Sequence, residues 1–155
     1  MPRTWTCFRS FFRPLRTQRS SFLLVASRSS MTRLFVGLGA LAAGIAVALG
    51  AFGAHGLEGR VSPDRLETFR TGVEYQMYHA LALLLVGWAV AQGWGPLLHW
   101  AGYCFLAGIV IFSGTLYLLV LTDTGWLGAI TPLGGVAFIV GWALLAWTVF
   151  IGPGG

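Results

Sequence analysis

The chain alternates long apolar runs with polar joints, and the runs set the architecture. Residues 34–54 contain no charged side chain in 21 positions. Residues 74–92, 97–121 and 130–151 contain none apart from Glu74, at the edge of the second run. A helix needs about 20 apolar residues to cross the hydrocarbon core of a bilayer. Barrel strands would alternate polar and apolar positions over shorter segments, whereas these runs are apolar all round. The pattern predicts an all-α integral membrane protein, a four-transmembrane-helix bundle with spans at about 34–54, 74–92, 97–121 and 130–151. Arg33 and the small-rich stretch Ala51-Phe52-Gly53-Ala54 give the first run some likeness to a secretory signal, but it is too long for a signal core.

The joints Gln92-Gly93-Trp94-Gly95-Pro96 and Thr122-Asp123-Thr124-Gly125 read as turns. The first joint is longer and holds Glu58, Arg60, Asp64, Arg65, Glu67, Arg70 and Glu74. Ser62-Pro63-Asp64 reads as a helix start. Serine caps, proline suits the first helical position, and the aspartate opposes the positive end of the helix dipole. Leu66, Phe69, Val73 and Met77 then recur at three and four residues, one apolar stripe. This predicts a short amphipathic helix at the interface between spans one and two. The competing expectation is a plain N-terminal extension of span two standing in water.

Composition removes other classes. Hydrophobic residues make up 56% of the 155, charged residues 10%, and the mean hydropathy is +0.75. A soluble domain carries about 25% charged residues, and 14% aromatic content is too apolar for a disordered chain. The net charge of +5 is uneven. All basic residues are arginine, and six of the ten lie in residues 1–30, which hold no acid; residues 31–155 have four arginines against five acids. Two parts follow. Residues 1–30 are an Arg/Ser-rich leader, expected to be disordered or to reflect a start placed too far upstream, since Met31-Thr32-Arg33 before a long apolar run makes a natural beginning. The same composition also suits an organellar transit peptide. Residues 31–155 are the four-span membrane domain. With no basic residues to spread over a folded face, no nucleic-acid partner is expected. The expected partners are the lipid bilayer and a second copy or another membrane protein.

An even number of spans puts both termini on one side. Trp88, Trp94, Trp100 and Trp147 cluster toward that side and Trp126 toward the other, the aromatic belts of a bilayer. Arg33 stands on the terminal side, and Arg60, Arg65 and Arg70 on the far side. The excess places the far side in the cytoplasm; counting the leader's six arginines would reverse that.

Gly37, Ala40, Gly44, Ala48 and Ala51 recur at three and four residues in span one, and Ala137 and Gly141 do so in span four. Small residues allow close backbone approach. They are expected to pack helices within the bundle, with contacts between copies as the competing expectation. Gly134-Gly135 after Pro132 suggests a kinked or tightly packed start to span four.

Polar residues at membrane depth are costly and carry functional suspicion. His55 ends span one; Glu74, Tyr75, Tyr78 and His79 begin span two; Asp123 ends span three and Thr131 begins span four. These ends face one side, so a polar cluster is expected there. Its roles range from helix capping and packing, through a proton path or polar ligand pocket, to metal or haem ligation. No close ligand repeat, CxxCH, nucleophile elbow, P-loop or dinucleotide fingerprint is present, and Cys7 and Cys104 make neither a disulfide framework nor a zinc site. The expectation is no metal and no cofactor.

Gly50-Ala51-Phe52-Gly53-Ala54-His55-Gly56-Leu57, Tyr75-Gln76-Met77-Tyr78-His79-Ala80-Leu81-Ala82-Leu83, Phe112-Ser113-Gly114-Thr115-Leu116-Tyr117 and Leu127-Gly128-Ala129-Ile130-Thr131-Pro132-Leu133-Gly134-Gly135 together resemble a family. It is the small YgdD/YwdK-like membrane proteins (domain of unknown function 423), akin to transmembrane protein 256. The resemblance covers roughly residues 34–148. It implies a multi-pass inner-membrane protein, implies no activity, and singles out His55, Tyr78 and His79; the leader is a departure from the pattern. The functional expectation is a non-enzymatic structural or partner-binding protein. The alternative is a proton-coupled or small-ligand carrier using the cluster around His55 and His79.

Overall fold

The computed structural model describes the backbone of residues 15–152 and the side chains of residues 30–152. Every element among the described residues is helical. Helix α1 spans Leu15–Phe52 and ends in a π-helical turn, Gly53–Leu57; α2 spans Pro63–Gln92. Helices α3 (Leu97–Gly108) and α4 (Gly114–Thr122) join through a π-helical turn at Ile109–Ser113. A 3-10 turn, Gly125–Ala129, leads to α5 (Thr131–Ile151). Among the described residues, three segments are long and apolar enough to cross a membrane: Ser30–Leu57, Leu97–Thr122 and Gly125–Ile151.

Residues 1–14 of the leader lie outside the described residues, and residues 15–30 continue α1 into span one without a break. They contain no proline or glycine, so nothing ends the helix there. The expected short amphipathic helix is not a separate element. Its residues are the first turns of α2, which continues unbroken for 30 residues. The start signal acts as read: Ser62 Oγ accepts from the Arg65 N–H at 3.4 Å, with Pro63 and Asp64 in the first turn. No break separates the amphipathic stripe from the apolar run, so one helix forms. It stops at Gly93, whose left-handed backbone (φ 76°) lets its N–H reach the carbonyls of Ala89 and Val90.

Helix α2 is the centre of the bundle. It packs against α1 along its length and against α3, α4 and the π turn between them, while α5 lies against α3 and that turn. One core holds Phe35, Leu83, Val86, Leu98, Phe105 and Phe138; a smaller one holds Leu57, Phe69, Leu119 and Val120. Met31, which accepts from the Tyr103 hydroxyl at 3.6 Å, lies toward the same end as the α2–α3 turn and Thr148. Leu57, Arg65 and Asp123 mark the other end.

Lipid tails are as apolar as leucine, so helices in a bilayer associate through close packing and internal hydrogen bonds. Gly134 and Gly141 show the packing. A Cβ on Gly134 would sit 2.4 Å from the backbone nitrogen of Phe112, so α5 all but touches the π turn. A Cβ on Gly141 would meet the Phe105 ring at 2.7 Å, and Ala137 is half-buried on the same helix. The tightly packed start of span four is therefore present. Span one differs from expectation: Gly37, Ala40, Gly44, Ala48 and Ala51 are exposed, and a Cβ on Gly37 or Gly44 would meet nothing within 4 Å. The bundle instead takes Phe35, Gly39 and Ala46, which are buried. At about 100° per residue the two sets lie on opposite sides of α1.

Candidate functional site

His79 sits near the middle of α2, 16 residues from Pro63 and 13 from Gln92, and is only 5% exposed. Its Nδ1 lies 2.7 Å from the carbonyl of Tyr75, and its Nε2 lies 3.2 Å from the indole nitrogen of Trp142 on α5. A carbonyl can only accept and an indole N–H can only donate. The partners therefore assign the ring: Nδ1 carries the proton, Nε2 accepts, and the imidazole is neutral. Phe138 stacks on it with ring centroids 3.4 Å apart and planes 9° apart. Phe105 and Tyr75 flank it at 5.7 and 6.0 Å. Tyr75 is half-exposed and stacks on Phe112 at 4.6 Å; Tyr78, 57% exposed, faces outward.

A second polar group lies one turn nearer the start of α2. Gln76 is buried; its amide nitrogen donates to the carbonyl of Ala42 at 2.8 Å and its oxygen accepts from the Tyr117 hydroxyl at 2.9 Å. One side chain thus ties α1, α2 and α4 together. Thr131 meets Thr115 at 2.8 Å, linking α5 to α4, and each hydroxyl also lies within reach of a carbonyl one turn back.

The seven expected polar residues do not form one cluster. Asp123, 85% exposed, ends α4 in a left-handed conformation (φ 53°) and pairs with Arg65 at 2.6 Å. Arg65 also donates to the Leu119 carbonyl at 3.3 Å, clamping the open end of α4. His55 and Glu74 are exposed. Gln76 touches α1 at Ala42, and thirteen positions separate Ala42 from His55, about 20 Å of helix. His79 lies a turn farther still from His55. Along α2, His79 lies five residues, about 7.5 Å, beyond Glu74. Among the described residues no three His, Cys, Asp or Glu stand close enough to hold a metal ion.

Four partners were not marked by the sequence: Gln76, Tyr117, Trp142 and Thr115. Gln76 had a signal, a lone amide at membrane depth next to the apolar stripe. Tyr117 and Trp142 had none, because aromatic residues in spans are ordinary until a partner is known. His79, Gln76, Thr115 and Thr131 are paired inside the bundle, whereas the Ser113 hydroxyl in the π turn is buried without a partner.

A chain whose described elements are all helical, with several apolar rods and polar groups paired inside the bundle, is an integral membrane protein. Comparison with known proteins gives the family. Residues 49–135 match the model described as "Protein of unknown function (DUF423)", and the chain belongs to that family. It is 51% identical over 119 residues to a UPF0382 membrane protein of Staphylococcus aureus (strain bovine RF122 / ET3-1), covering 76% of this chain and 96% of the relative. It is 51% identical over 115 residues to the UPF0382 membrane protein YwdK of Bacillus subtilis (strain 168), covering 73% and 93%. A Staphylococcus haemolyticus member is 47% identical over 119 residues, covering 76% and 96%. No solved structure matches the chain.

Proposed function

We infer that this chain is a four-span protein of the cell inner membrane that acts as a non-enzymatic partner-binding subunit, holding a second copy against the outer face of α1. Helix α2 is the fourth span. Its residues 75–92 carry no formal charge, and its polar Gln76 and His79 face protein rather than lipid. With four spans, both termini lie on one side.

One observation carries the binding role. Gly37, Ala40, Gly44 and Ala48 point away from the bundle, while other glycines of the bundle, such as Gly102 and Gly108, are pressed against aromatic rings. Lipid requires no small residues, whereas a close helix partner does. The pairing of His79 and Gln76 inside the bundle, and their distance from His55, favour this role over a carrier, which needs polar groups that line one path. Cross-linking between copies through a cysteine at position 44 tests the proposal.

A further inference from the structure

Near its charged end the bundle has a cleft of about 160 Å³ between α1 and α2, lined by Gly50, Gly53, Phe69, Arg70, Val73 and Glu74. That is far more than the roughly 10–15 Å³ one water needs. Its α1 wall is made by two glycines. A Cβ on Gly50 would lie 3.5 Å from Val73, and one on Gly53 3.1 Å from the Phe69 ring, so larger side chains there would fill the space.

The α2 wall carries both signs of charge. Arg70 and Glu74 stand one helical turn apart, yet the ion pair among the described residues is Arg65–Asp123, and neither Arg70 nor Glu74 has a side-chain hydrogen bond or ion pair there. Arg65 shows what an arginine on this helix does when a protein partner is available. Depth makes the open charges meaningful. Arg70 and Glu74 lie seven and eleven residues into α2, about 10 and 16 Å from its start. Eighteen residues, about 27 Å, remain between Glu74 and Gln92. With α2 as the fourth span, the reading proposed above on which the depth of this site rests, that is close to the roughly 30 Å hydrocarbon thickness, and Glu74 falls at the boundary of acyl chains and headgroups. Helix side chains lean toward the N-terminus, which here is the aqueous end, so both heads reach headgroup level.

We propose that this cleft binds a phospholipid with a primary-amine headgroup, as in phosphatidylethanolamine. The Arg70 guanidinium takes the phosphate oxygens and the Glu74 carboxylate accepts from the ammonium. Phe69 and Val73 cover the first methylenes below the headgroup. A choline headgroup has no N–H to give Glu74, and a glycerol headgroup has no cation, so both bind more weakly. The site is independent of how copies associate through α1.

The test is thermal unfolding of the full chain in detergent with added phosphatidylethanolamine, phosphatidylcholine or phosphatidylglycerol, and with soluble phosphoethanolamine as a fourth arm. Saturating phosphatidylethanolamine should raise Tm by about 4 °C or more, with smaller shifts from the other two lipids. Arg70→Gln and Glu74→Gln should each abolish that difference while the lipid-free Tm stays near that of the parent, because neither side chain has a partner to lose. Gly50→Leu, which fills the cleft, should abolish it too. Equal shifts from all three lipids, an undiminished preference in the Glu74→Gln and Arg70→Gln variants, or the same shift from soluble phosphoethanolamine would overturn the proposal.

Discussion

The hydroxyl of Tyr117 on α4 donates to the side-chain oxygen of Gln76 on α2 at 2.9 Å. Gln76 in turn donates to the Ala42 carbonyl on α1, so one pair secures three helices where the hydrophobic effect does not drive association. Interhelical hydrogen bonds in membranes average about 0.6 kcal/mol and reach about 1.7. Gln76→Leu and Tyr117→Phe should each lower stability by about 1 kcal/mol. The double variant should fall short of the sum, because the second change removes a group already left without a partner. Additive losses in detergent unfolding would mean that the two do not interact.

Glycine positions separate into two kinds, and substitution tells them apart. Gly134→Ala drives a methyl into the backbone of the π turn, and overpacking of this sort costs about 1–3 kcal/mol or more. Gly114→Ala meets open space and gains helix propensity worth up to about 1 kcal/mol. Thermal unfolding in detergent should show a clear loss for the first and none for the second.

The ring of His79 has an assigned tautomer. Nitrogen NMR of ¹⁵N-labelled histidine should show protonated Nδ1 and unprotonated Nε2 for this residue, and Trp142→Phe should shift the Nε2 signal by removing its donor. A charged ring with both nitrogens protonated would contradict the geometry, since Nε2–H would then face the indole N–H.

Much of the rod-like architecture was legible because membrane spans announce themselves by the absence of charge. What was not legible was where a helix begins when charges and span share one element. Glu74 ended the apolar run, yet α2 starts eleven residues earlier at the Ser62-Pro63 signal, so the apolar run and the charged stretch before it form one helix. The stripe Gly37, Ala40, Gly44, Ala48 was legible as a face, but a single sequence does not say which neighbour a face meets. The bundle uses the opposite side of α1. Thr131 was legible at a span end, whereas its partner Thr115 lies inside an apolar run, where a lone threonine is ordinary.

The proposed fourth span sets the topology. Reporter fusions after Trp94 and after Gly155 should agree, and a fusion after Arg60 should oppose them, with the Arg60 side cytoplasmic. Identical signals from all three would exclude an even number of spans.

The outer face of α1 bears the central claim. With Cys7 and Cys104 replaced by serine, single cysteines at Gly44 and at Ile45 would be oxidised in native membranes. Both positions are exposed, but Ile45 lies about 100° around the helix from Gly44. The account predicts a disulfide-linked dimer for Gly44→Cys, little for Ile45→Cys, and loss of the dimer when Gly37→Leu is added to Gly44→Cys. Equal cross-linking at positions 44 and 45, or none at 44, would contradict it.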